Sequence, residues 1–393
     1  MKISTLIKKA TERIQSFFAY LIARLLTANK GLVKNKFFCI SMTGNSYGDN
    51  IKCLSDFIEK TDEEAEIVWA FSSSFKKKSG CQHKSVELYS VAYYKEMLTS
   101  KYILSNARLN QRMFHKRKGQ IYLQTWHGTA LKKIGIDARK PRPWYKKLIQ
   151  PPMLEFDVDH TDIMLSGSGF MTDIYRKKFG FKGEMWEVGT PRNDIFFGNH
   201  PELVEKVHKY YNIPIESNII LYAPTFRSNG SLKYYDIDAK KLLSLWENKT
   251  GCKCVFLARL HPNIANKESE LKKMFPADTI YASSYPDMQE LLYATDLLVT
   301  DYSSSMFDYM YSGKPVLMYI PDWDSYDRGF YFSKEELPFA IMRNNDEMES
   351  ASEALVDSNY GLLLQKFMDS IGSKEKGMAT ETTYRNLQKY ARI

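Results

Sequence analysis

Residues 296–320 read DLLVTDYSSSMFDYMYSGKPVLMYI. This stretch opens and closes with short, largely apolar runs, at 296–300 and 316–320, that have the length and composition of buried strands. Between the two runs, a serine cluster leads into a helical pattern that stops at Gly313-Lys314-Pro315. A strand, a helix and a second strand at this spacing predict a parallel βαβ unit.

The same alternation of strands and helices extends through most of the chain. In the first half, strands are predicted at 37–41, 66–71, 101–104, 121–126, 162–165 and 184–188. After a turn-rich break, further strands are predicted at 218–223, 254–260, 279–281, 296–300 and 316–320. Such alternation indicates parallel sheets covered on both faces. We therefore predict an α/β protein with two Rossmann-like, doubly wound domains, residues 33–200 and 201–393, that face a central cleft.

The N-terminal residues have a different pattern. Residues 3–28 carry apolar side chains at helical spacing, with Lys8, Lys9 and Arg13 mostly on the other face. The densest apolar stretch, 17–26, contains Arg24 and is too short to span a bilayer, but it suits a helix lying in a membrane interface. The alternative is an ordinary helix packed on the body. We predict that residues 1–32 form an amphipathic, membrane-associating segment.

Charge and cysteine content restrict the partners and the compartment. The net charge of +9 is concentrated in residues 1–36, with +7, and 101–147, with +12, which leaves the remainder at −10. Such patches suit phosphates, nucleic acid or an anionic membrane, although a solvated basic surface is the alternative. The five cysteines show no metal-ligand spacing, and no cleavage site follows the N-terminal apolar stretch. These features predict reduced thiols and a cytosolic location.

Polar, turn-rich peptides follow five of the predicted strands. They are Thr43–Asn50, Trp126–Thr129, Pro224–Arg227, His261–Asn263 and Asp301–Ser305. Ligands of open α/β sheets bind beyond the carboxyl ends of the strands. We therefore predict that these peptides contribute to one shared ligand site.

The side chains in these peptides suit phosphate chemistry. The pattern places Ser303 and Ser304 at the N-cap and first turn of a helix, where free N–H groups bind anions, although simple capping is the alternative. Arg227 offers two parallel donors to a phosphate. His127 and His261 each end a strand, where an imidazole could accept a proton from a hydroxyl or neutralise a phosphate; a structural role for each is equally open.

No metal site or nucleotide-binding glycine motif is indicated. The chain lacks a P-loop, and Gly167-Ser168-Gly169 lacks the third glycine of the dinucleotide fingerprint, so Ser168 is interpreted as a helix N-cap. Asp322-Trp323-Asp324 has the composition of a metal-binding tripeptide, but it follows the last strand predicted in the second domain. We predict no cofactor and no bound metal.

Together these peptides resemble the CDP-glycerol glycerophosphotransferase family of teichoic acid and capsule synthesis. The matching stretches are GNSYGDN at 44–50, QTWHGT at 124–129, VGTPRND at 188–194, LYAPTFR at 221–227, RLHP at 259–262, TDYSS at 300–304, FD at 307–308, GKP at 313–315, and Asp322, Tyr326, Arg328 and Gly329. The resemblance covers residues 37–332. One departure is Ile51, where the family pattern has proline.

This resemblance implies a GT-B fold and transfer of glycerol phosphate from CDP-glycerol to a hydroxyl of a lipid-linked glycan or poly(glycerol phosphate), with release of CMP. The implied partners are CDP-glycerol, an undecaprenyl-diphosphate-linked glycan and an anionic membrane, with no nucleic acid. The implied location is peripheral, at the cytoplasmic face of the cell membrane. The alternatives are ribitol-phosphate transfer from CDP-ribitol, a GT-B hexosyltransferase using a nucleotide sugar, and an inactive membrane-binding scaffold. Single-unit transfer and polymerisation are not distinguished.

The resemblance also implies that His127 and His261 are needed for activity. We predict His127 as general base, with His261 at the pyrophosphate. The predicted donor-binding residues are Thr225, Arg227, Asp301, Ser303, Ser304, Asp308, Asp322 and Arg328. The predicted acceptor or cleft-loop residues are Gly48, Asn50, Thr129 and Arg192.

Overall fold

The computed structural model describes residues 3–77, 79–109, 116–138, 153–227, 231–260, 268–326 and 328–392. The chain divides into two compact units. The first unit comprises Met1–His127, Arg139–Arg192 and Lys374–Ile393, and the second comprises Gly128–Ala138 and Asn193–Ser373.

Strands and helices alternate along the described residues. The strands are β1 Val33–Ile40, β2 Glu66–Phe71, β3 Lys84–Glu87, β4 Ser100–Ser105, β5 Ile121–Gln124, β6 Ile163–Leu165, β7 Glu184–Trp186, β8 Asn218–Tyr222, β9 Cys254–Ala258, β10 Ile280–Tyr281, β11 Leu297–Thr300, β12 Val316–Tyr319 and β13 Ala340–Met342. The α-helices are α1 Ile3–Thr27, α2 Asp49–Thr61, α3 Ser73–Lys76, α4 Val91–Thr99, α5 Met153–His160, α6 Gly169–Ile174, α7 Pro201–Tyr211, α8 Ala239–Thr250, α9 Glu268–Leu271, α10 Met288–Ala294, α11 Ser305–Tyr309, α12 Met348–Ala354, α13 Tyr360–Ser370 and α14 Ala379–Tyr390.

The first unit is built on a seven-stranded parallel sheet with the spatial order β3-β2-β1-β4-β5-β6-β7. Its apolar runs are buried on both faces, because neighbouring residues of a strand point to opposite sides. Phe37 therefore belongs to the core cluster on one face and Phe38 to the cluster on the other. Helix α14, from the end of the chain, contributes Tyr384 to the first of these clusters.

The second unit is built on a six-stranded parallel sheet with the order β10-β9-β8-β11-β12-β13. Its core includes Ile220, Phe256, Val299 and Leu317 from four adjacent strands. The strand order reverses between β8 and β11, and such a switch point is where open α/β sheets bind ligands. The two doubly wound parallel sheets confirm the predicted fold class.

Helix α1 packs by one narrow stripe. Tyr20 and Ala23 are buried, Ser16 Oγ lies 2.5 Å from Tyr94 Oη on α4, and the Tyr20 and Tyr94 rings meet edge to face. Thr27 is also buried, whereas most of the other side chains between residues 11 and 26 are exposed, and the large apolar exposed ones are Ile14, Phe18, Leu21, Ile22, Leu25 and Leu26. The prediction of a helix at 3–28 is confirmed. Within the described ranges, no helix is both long and apolar enough to cross a bilayer.

Candidate active site

His127 lies just beyond the carboxyl end of β5, and a backbone carbonyl orients its ring. The Nδ1 atom lies 2.8 Å from the carbonyl oxygen of Asn106, which follows β4. A carbonyl oxygen can only accept a hydrogen bond, so Nδ1 carries the proton of the neutral ring. The Nε2 atom is therefore left with a lone pair. The Trp126 ring stacks on the imidazole at a centroid distance of 4.4 Å.

The surroundings of His127 favour its neutral form. Burial lowers the pKa of the imidazole, and the positive charges of Arg192 and Arg108 act in the same direction, against the Asn106 hydrogen bond and the Asp49 charge. A neutral imidazole with a free Nε2 is the form that can accept a proton.

A polar cluster around Asn50 joins three segments of the first unit. The buried Asn50 side chain donates from Nδ2 to Thr125 Oγ1 at 3.2 Å and to the Trp126 carbonyl at 3.1 Å. Its Oδ1 accepts from the Arg192 backbone N–H at 3.1 Å. The first turn of α2 is thereby tied to the residues that follow β5 and to the segment that carries Arg192.

Arg192 and Asp49 form a largely buried ion pair beside this cluster. Arg192 Nη1 donates to Asp49 Oδ1 at 2.9 Å, and the Asn50 N–H donates to the same oxygen at 2.6 Å. Burial opposes ionisation of Asp49, but Arg192 and the Asn50 N–H lower the pKa of the carboxyl below its usual value. Gly48 is buried immediately before Asp49. The structure thus brings Gly48 and Asn50 together with Arg192 in the unit that contains His127.

The depressed pKa of His127 predicts the pH dependence of turnover. If the neutral ring is the base, kcat/KM should stay level as pH falls to 6.5, the ordinary imidazole pKa, and decline only below it. Steady-state rates measured across the acid range show where kcat/KM begins to decline. A decline centred at or above pH 6.5, or one that persists in His127→Ala, would contradict the assignment of His127 as the base.

In the second unit, Arg227 is held by two carboxylates. Its Nε and Nη2 donate to the two oxygens of Asp322 at 2.7 and 3.0 Å, and Nη1 donates to Asp301 Oδ2 at 2.7 Å. Nη1 also lies 2.9 Å from both Thr225 O and Thr225 Oγ1. Asp301 accepts from the backbone N–H groups of Thr225 and Tyr302. One guanidinium therefore joins the loops that follow β8, β11 and β12.

These contacts differ from the predicted use of Arg227. The sequence suggested a guanidinium open to a phosphate, whereas the side chain is only 5% exposed and its fork faces carboxylates. Burial opposes its charge, but Asp301 and Asp322 raise the pKa of Arg227 far above its usual value. Aromatic rings complete the enclosure, with the Tyr302 ring 4.8 Å and the Tyr326 ring 5.3 Å from the guanidinium carbon.

The serine cluster after β11 begins a short helix. Helix α11 starts at Ser305. Its N-cap residue is Ser304, one residue after the predicted N-cap Ser303, and the Ser304 side chain makes no capping hydrogen bond. Ser303 Oγ instead accepts from the N–H and hydroxyl of Ser305, at 3.3 and 2.9 Å. Asp308 is buried on the same helix. The predicted N-cap at Ser168 is confirmed, since its Oγ accepts from the Met171 N–H at 3.2 Å.

A family model, CDP-Glycerol:Poly(glycerophosphate) glycerophosphotransferase, matches residues 22–389. The chain belongs to this family. The family prediction from the sequence peptides is thereby confirmed.

Named members of this glycerophosphotransferase family are similar over most of the chain. A teichoic acid poly(glycerol phosphate) polymerase from Staphylococcus epidermidis is 30% identical over 87% of this chain and 48% of its own length. A teichoic acid glycerol-phosphate transferase from Staphylococcus aureus is 27% identical over 96% of this chain and 98% of its own. The chain thus spans about half the length of the first of these relatives and nearly all of the second.

A solved structure of the same family has a similar fold. A histidine-to-asparagine variant of the wall teichoic acid polymerase TagF, soaked with CDPG, superposes with a TM-score of 0.81 at 25% identity. The match covers 100% of this chain and 99% of that one. The likeness agrees with the GT-B fold that the family resemblance implied.

The remaining predicted site residues are Thr129, His261 and Arg328. Thr129 lies in the Gly128–Ala138 segment of the second unit, and Arg328 is exposed. His261 lies outside the described residues. In the described part of the chain, no three His, Cys, Asp or Glu side chains are placed to hold a metal ion. Asp322 is held by Arg227, and Asp324 forms an exposed ion pair with Arg343.

Two residues that act at the His127 site were missed from the sequence. Asn106 fixes the imidazole through its backbone carbonyl, and its side chain accepts from the Met42 N–H at 2.7 Å and donates to Ser41 Oγ at 3.1 Å. Asp49 holds Arg192. The available signal was position, because Asn106 directly follows β4 and Asp49 lies within the polar Thr43–Asn50 peptide that comes after β1.

Proposed function

We propose that the chain transfers glycerol phosphate from CDP-glycerol to a hydroxyl of a membrane lipid-linked glycan or poly(glycerol phosphate) acceptor. The acceptor oxygen forms a bond to the phosphorus that bears glycerol, the bond from that phosphorus to the bridging oxygen breaks, and CMP leaves. Family membership and the relative that matches over nearly the whole of both chains support the donor and the product. The structural observation that carries the proposal is the neutral His127 with its free Nε2.

His127 acts as the general base in this proposal. Its Nε2 accepts the acceptor hydroxyl proton as the oxygen attacks, and the Asn106 carbonyl stabilises the Nδ1–H of the resulting imidazolium. Arg192 and Asp49 form an ion pair, so their charges largely compensate each other close to the ring. A ring kept neutral before reaction and hydrogen-bonded at Nδ1 meets the two requirements of a base, which are the correct protonation state and the correct orientation.

Residues of the second unit hold the donor. Phosphoryl transfer depends mainly on positioning and charge stabilisation, and the loops after β8 and β11 flank the switch point of the sheet. Arg227 organises these loops through Asp301 and Asp322 rather than binding phosphate by its fork. Ser303 and Ser304 supply hydroxyl and backbone donors, and we assign His261 to the pyrophosphate with them. Thr225, Asp308 and Arg328 complete the proposed donor set.

We propose that helix α1 binds the enzyme to the cytoplasmic face of a membrane. Phe18, Ile22 and Leu25 project from the helix with exposures of 56%, 46% and 78%. Arg13 and Arg24 of the helix are also exposed, as is Lys30 just after it, whereas Lys36 is buried in ion pairs with Glu66 and Glu96. Exposed apolar and basic side chains on one helix suit insertion into an anionic interface. A lipid-linked acceptor and a peripheral location follow from this proposal.

Replacing Phe18, Ile22 and Leu25 together by serine is expected to weaken liposome binding by about 10-fold or more, since each inserted methylene contributes about 0.8 kcal/mol. The loss should be clearest at high salt, where the attraction of basic side chains to anionic lipid is screened. Cosedimentation with phosphatidylglycerol vesicles measures it. Leu362→Ser with Leu363→Ser, at exposed positions of α13, is the matched control. Equal binding by both variants at high salt would contradict the role of α1.

Calorimetry with purified protein tests the donor directly. CDP-glycerol is expected to bind more tightly than UDP-glucose, because the proposed site recognises the cytidine nucleotide and glycerol together. CDP-ribitol is the third arm, and tighter binding of this donor would make ribitol phosphate the transferred group. Equal or tighter binding of UDP-glucose would contradict the proposal and favour a hexosyltransferase.

A further inference from the structure

A chain of buried hydrogen bonds connects Asp157, on α5, with the backbone beside His127. Asp157 accepts from the Tyr122 hydroxyl, with both carboxylate oxygens 3.3 Å away. The Tyr122 hydroxyl accepts from Gln124 Nε2 at 3.1 Å. Gln124 Oε1 then accepts from the Trp126 N–H at 3.0 Å. Tyr122 and Gln124 lie two residues apart on β5, so their side chains share one face of the sheet.

Gln124 is connected to both groups of the His127 hydrogen bond. Through Oε1 it holds the Trp126 N–H, one residue before His127. Through Nε2 it donates to the Ala107 carbonyl at 3.2 Å, one residue after the Asn106 carbonyl that receives His127 Nδ1. Asp157 reinforces the second segment by accepting from the Leu109 N–H at 2.9 Å. Gln124 thus holds both the segment that carries His127 and the segment that carries its acceptor, the Asn106 carbonyl.

The backbone of Trp126 requires such support. Its φ angle is 53°, in the left-handed region that a tryptophan rarely adopts. Gln124 holds the N–H of this residue, and Asn50 Nδ2 holds its carbonyl at 3.1 Å. An unfavourable conformation persists only where the surrounding contacts determine it. The peptide groups on both sides of Trp126 are therefore held by hydrogen bonds to the buried side chains of Gln124 and Asn50.

The direction of the hydrogen bonds is set by the carboxylate. Burial raises the pKa of Asp157 to about 6, so the group is mainly ionised above that pH and can only accept. Tyr122 therefore donates to Asp157 and accepts from the Gln124 amide. This orientation leaves Gln124 Oε1 facing the Trp126 N–H. A reversed amide would place two donors against each other.

We propose that Gln124 is a positioning residue for the His127 base and that Tyr122 and Asp157 fix the orientation of its amide. The proposal rests on the function proposed above for His127. It assigns to the glutamine of the Gln-Thr-Trp-His-Gly-Thr stretch the task of keeping Nδ1 protonated against Asn106, so that Nε2 remains free for the acceptor hydroxyl.

The test compares two buried glutamines at opposite ends of β5. Gln124→Met removes the network with little change in side-chain volume, and Gln120→Met is the matched control. Gln120 is 3% exposed and donates to the Met97 and Ser100 carbonyls at 2.8 and 2.7 Å, away from His127. Tyr122→Phe is the second variant, since it keeps the ring in the core and removes only the hydroxyl.

Gln124→Met is expected to lower kcat for CMP release by about 10-fold to 100-fold, the range for a displaced catalytic group, with KM for CDP-glycerol nearly unchanged. Gln120→Met should keep the wild-type kcat even if it loses similar stability. Tyr122→Phe should lower kcat in the same direction by less. Equal kcat values for the two methionine variants at similar stability would overturn the proposal.

Nitrogen NMR of the ring supplies a readout that does not depend on turnover. With ¹⁵N-labelled histidine at pH 7.5, the His127 signals, assigned by their loss in His127→Ala, should report a protonated Nδ1 in the wild type. In Gln124→Met they should move toward a mixture of tautomers, and in Gln120→Met they should not. Unchanged signals in Gln124→Met would overturn the positioning role. Absence of CMP release from the wild type would instead overturn the proposed function, while the NMR comparison would still decide the role of Gln124.

Discussion

Replacing His127 by alanine is expected to lower CMP release from CDP-glycerol by about 10²–10⁴-fold, the contribution of a lost acid–base group. The ring is partly buried just beyond the end of β5, and within the described part of the chain its hydrogen-bond partner is a backbone carbonyl. Its removal should therefore leave the sheet intact and CDP-glycerol binding near the wild-type value. Initial rates with saturating donor and acceptor, together with calorimetric donor binding, measure the two effects separately.

His200→Ala is the control for this variant. His200 lies in the second unit, is partly exposed and interacts with Glu202. Its replacement should leave turnover within about two-fold of the wild type, as expected for a surface change away from the chemistry. A His127→Ala protein that turns over like His200→Ala would remove His127 from the mechanism.

Replacing Arg227 by methionine is expected to destabilise the second unit by about 3–5 kcal/mol, the usual cost of leaving buried charges without their partner. Asp301 and Asp322 are each about as buried as the arginine. Water therefore cannot hydrate either carboxylate unless the loops open. Binding of CDP-glycerol should be lost with the loop structure. Urea unfolding, with hydrogen exchange of the β8 amides as the local probe, measures the stability change.

Arg343→Met provides the matched comparison within the same unit. Arg343 also pairs with an aspartate, Asp324, but both side chains are largely exposed. Exposed ion pairs contribute at most about 1 kcal/mol. If Arg227→Met costs no more than Arg343→Met, the buried cluster does not organise the donor loops.

The sheets were predictable because burial on both faces leaves a direct trace in the sequence. Strands such as FFCI at 37–40 and VLMY at 316–319 are short apolar runs between polar loops. The edge strands β3 and β13 were missed. β3 reads KSVE and buries only Val86, and β13 has three residues, so neither carries a distinctive pattern.

The site was predictable by position but not by partner. Loops after strands directed attention to His127 and Arg227, since parallel strands present their carboxyl ends at one edge of a sheet. The partners of Arg227 lie 74 and 95 residues away, and no local pattern encodes such a pairing. The tautomer of His127 depends on a backbone carbonyl, which every residue type has, so the sequence at Asn106 does not indicate it.

The sequence predicted α1 as a helix but did not predict which of its sides is buried. Helical periodicity predicted the helix, but it could not distinguish a packed stripe from an exposed one, because both consist of apolar residues. The tertiary structure separates them, with Tyr20 buried against α4 and Leu25 exposed. Deleting the helix would therefore also uncover part of the first unit, which is why substitutions on the exposed side are the cleaner experiment.

The nucleotide product is the most direct measure of the proposed chemistry. Attack on the phosphorus that bears glycerol releases a nucleoside monophosphate, whereas glycosyl transfer from a nucleoside diphosphate sugar releases a nucleoside diphosphate. The protein should be incubated with a lipid-linked acceptor and either CDP-glycerol or UDP-glucose, and the nucleotides separated by ion-exchange chromatography. We expect CMP from CDP-glycerol, in amounts equal to the glycerol phosphate gained by the acceptor, and no UDP. Release of UDP with hexose transfer, or no acceptor-dependent nucleotide release from CDP-glycerol, would contradict the proposed transfer of glycerol phosphate.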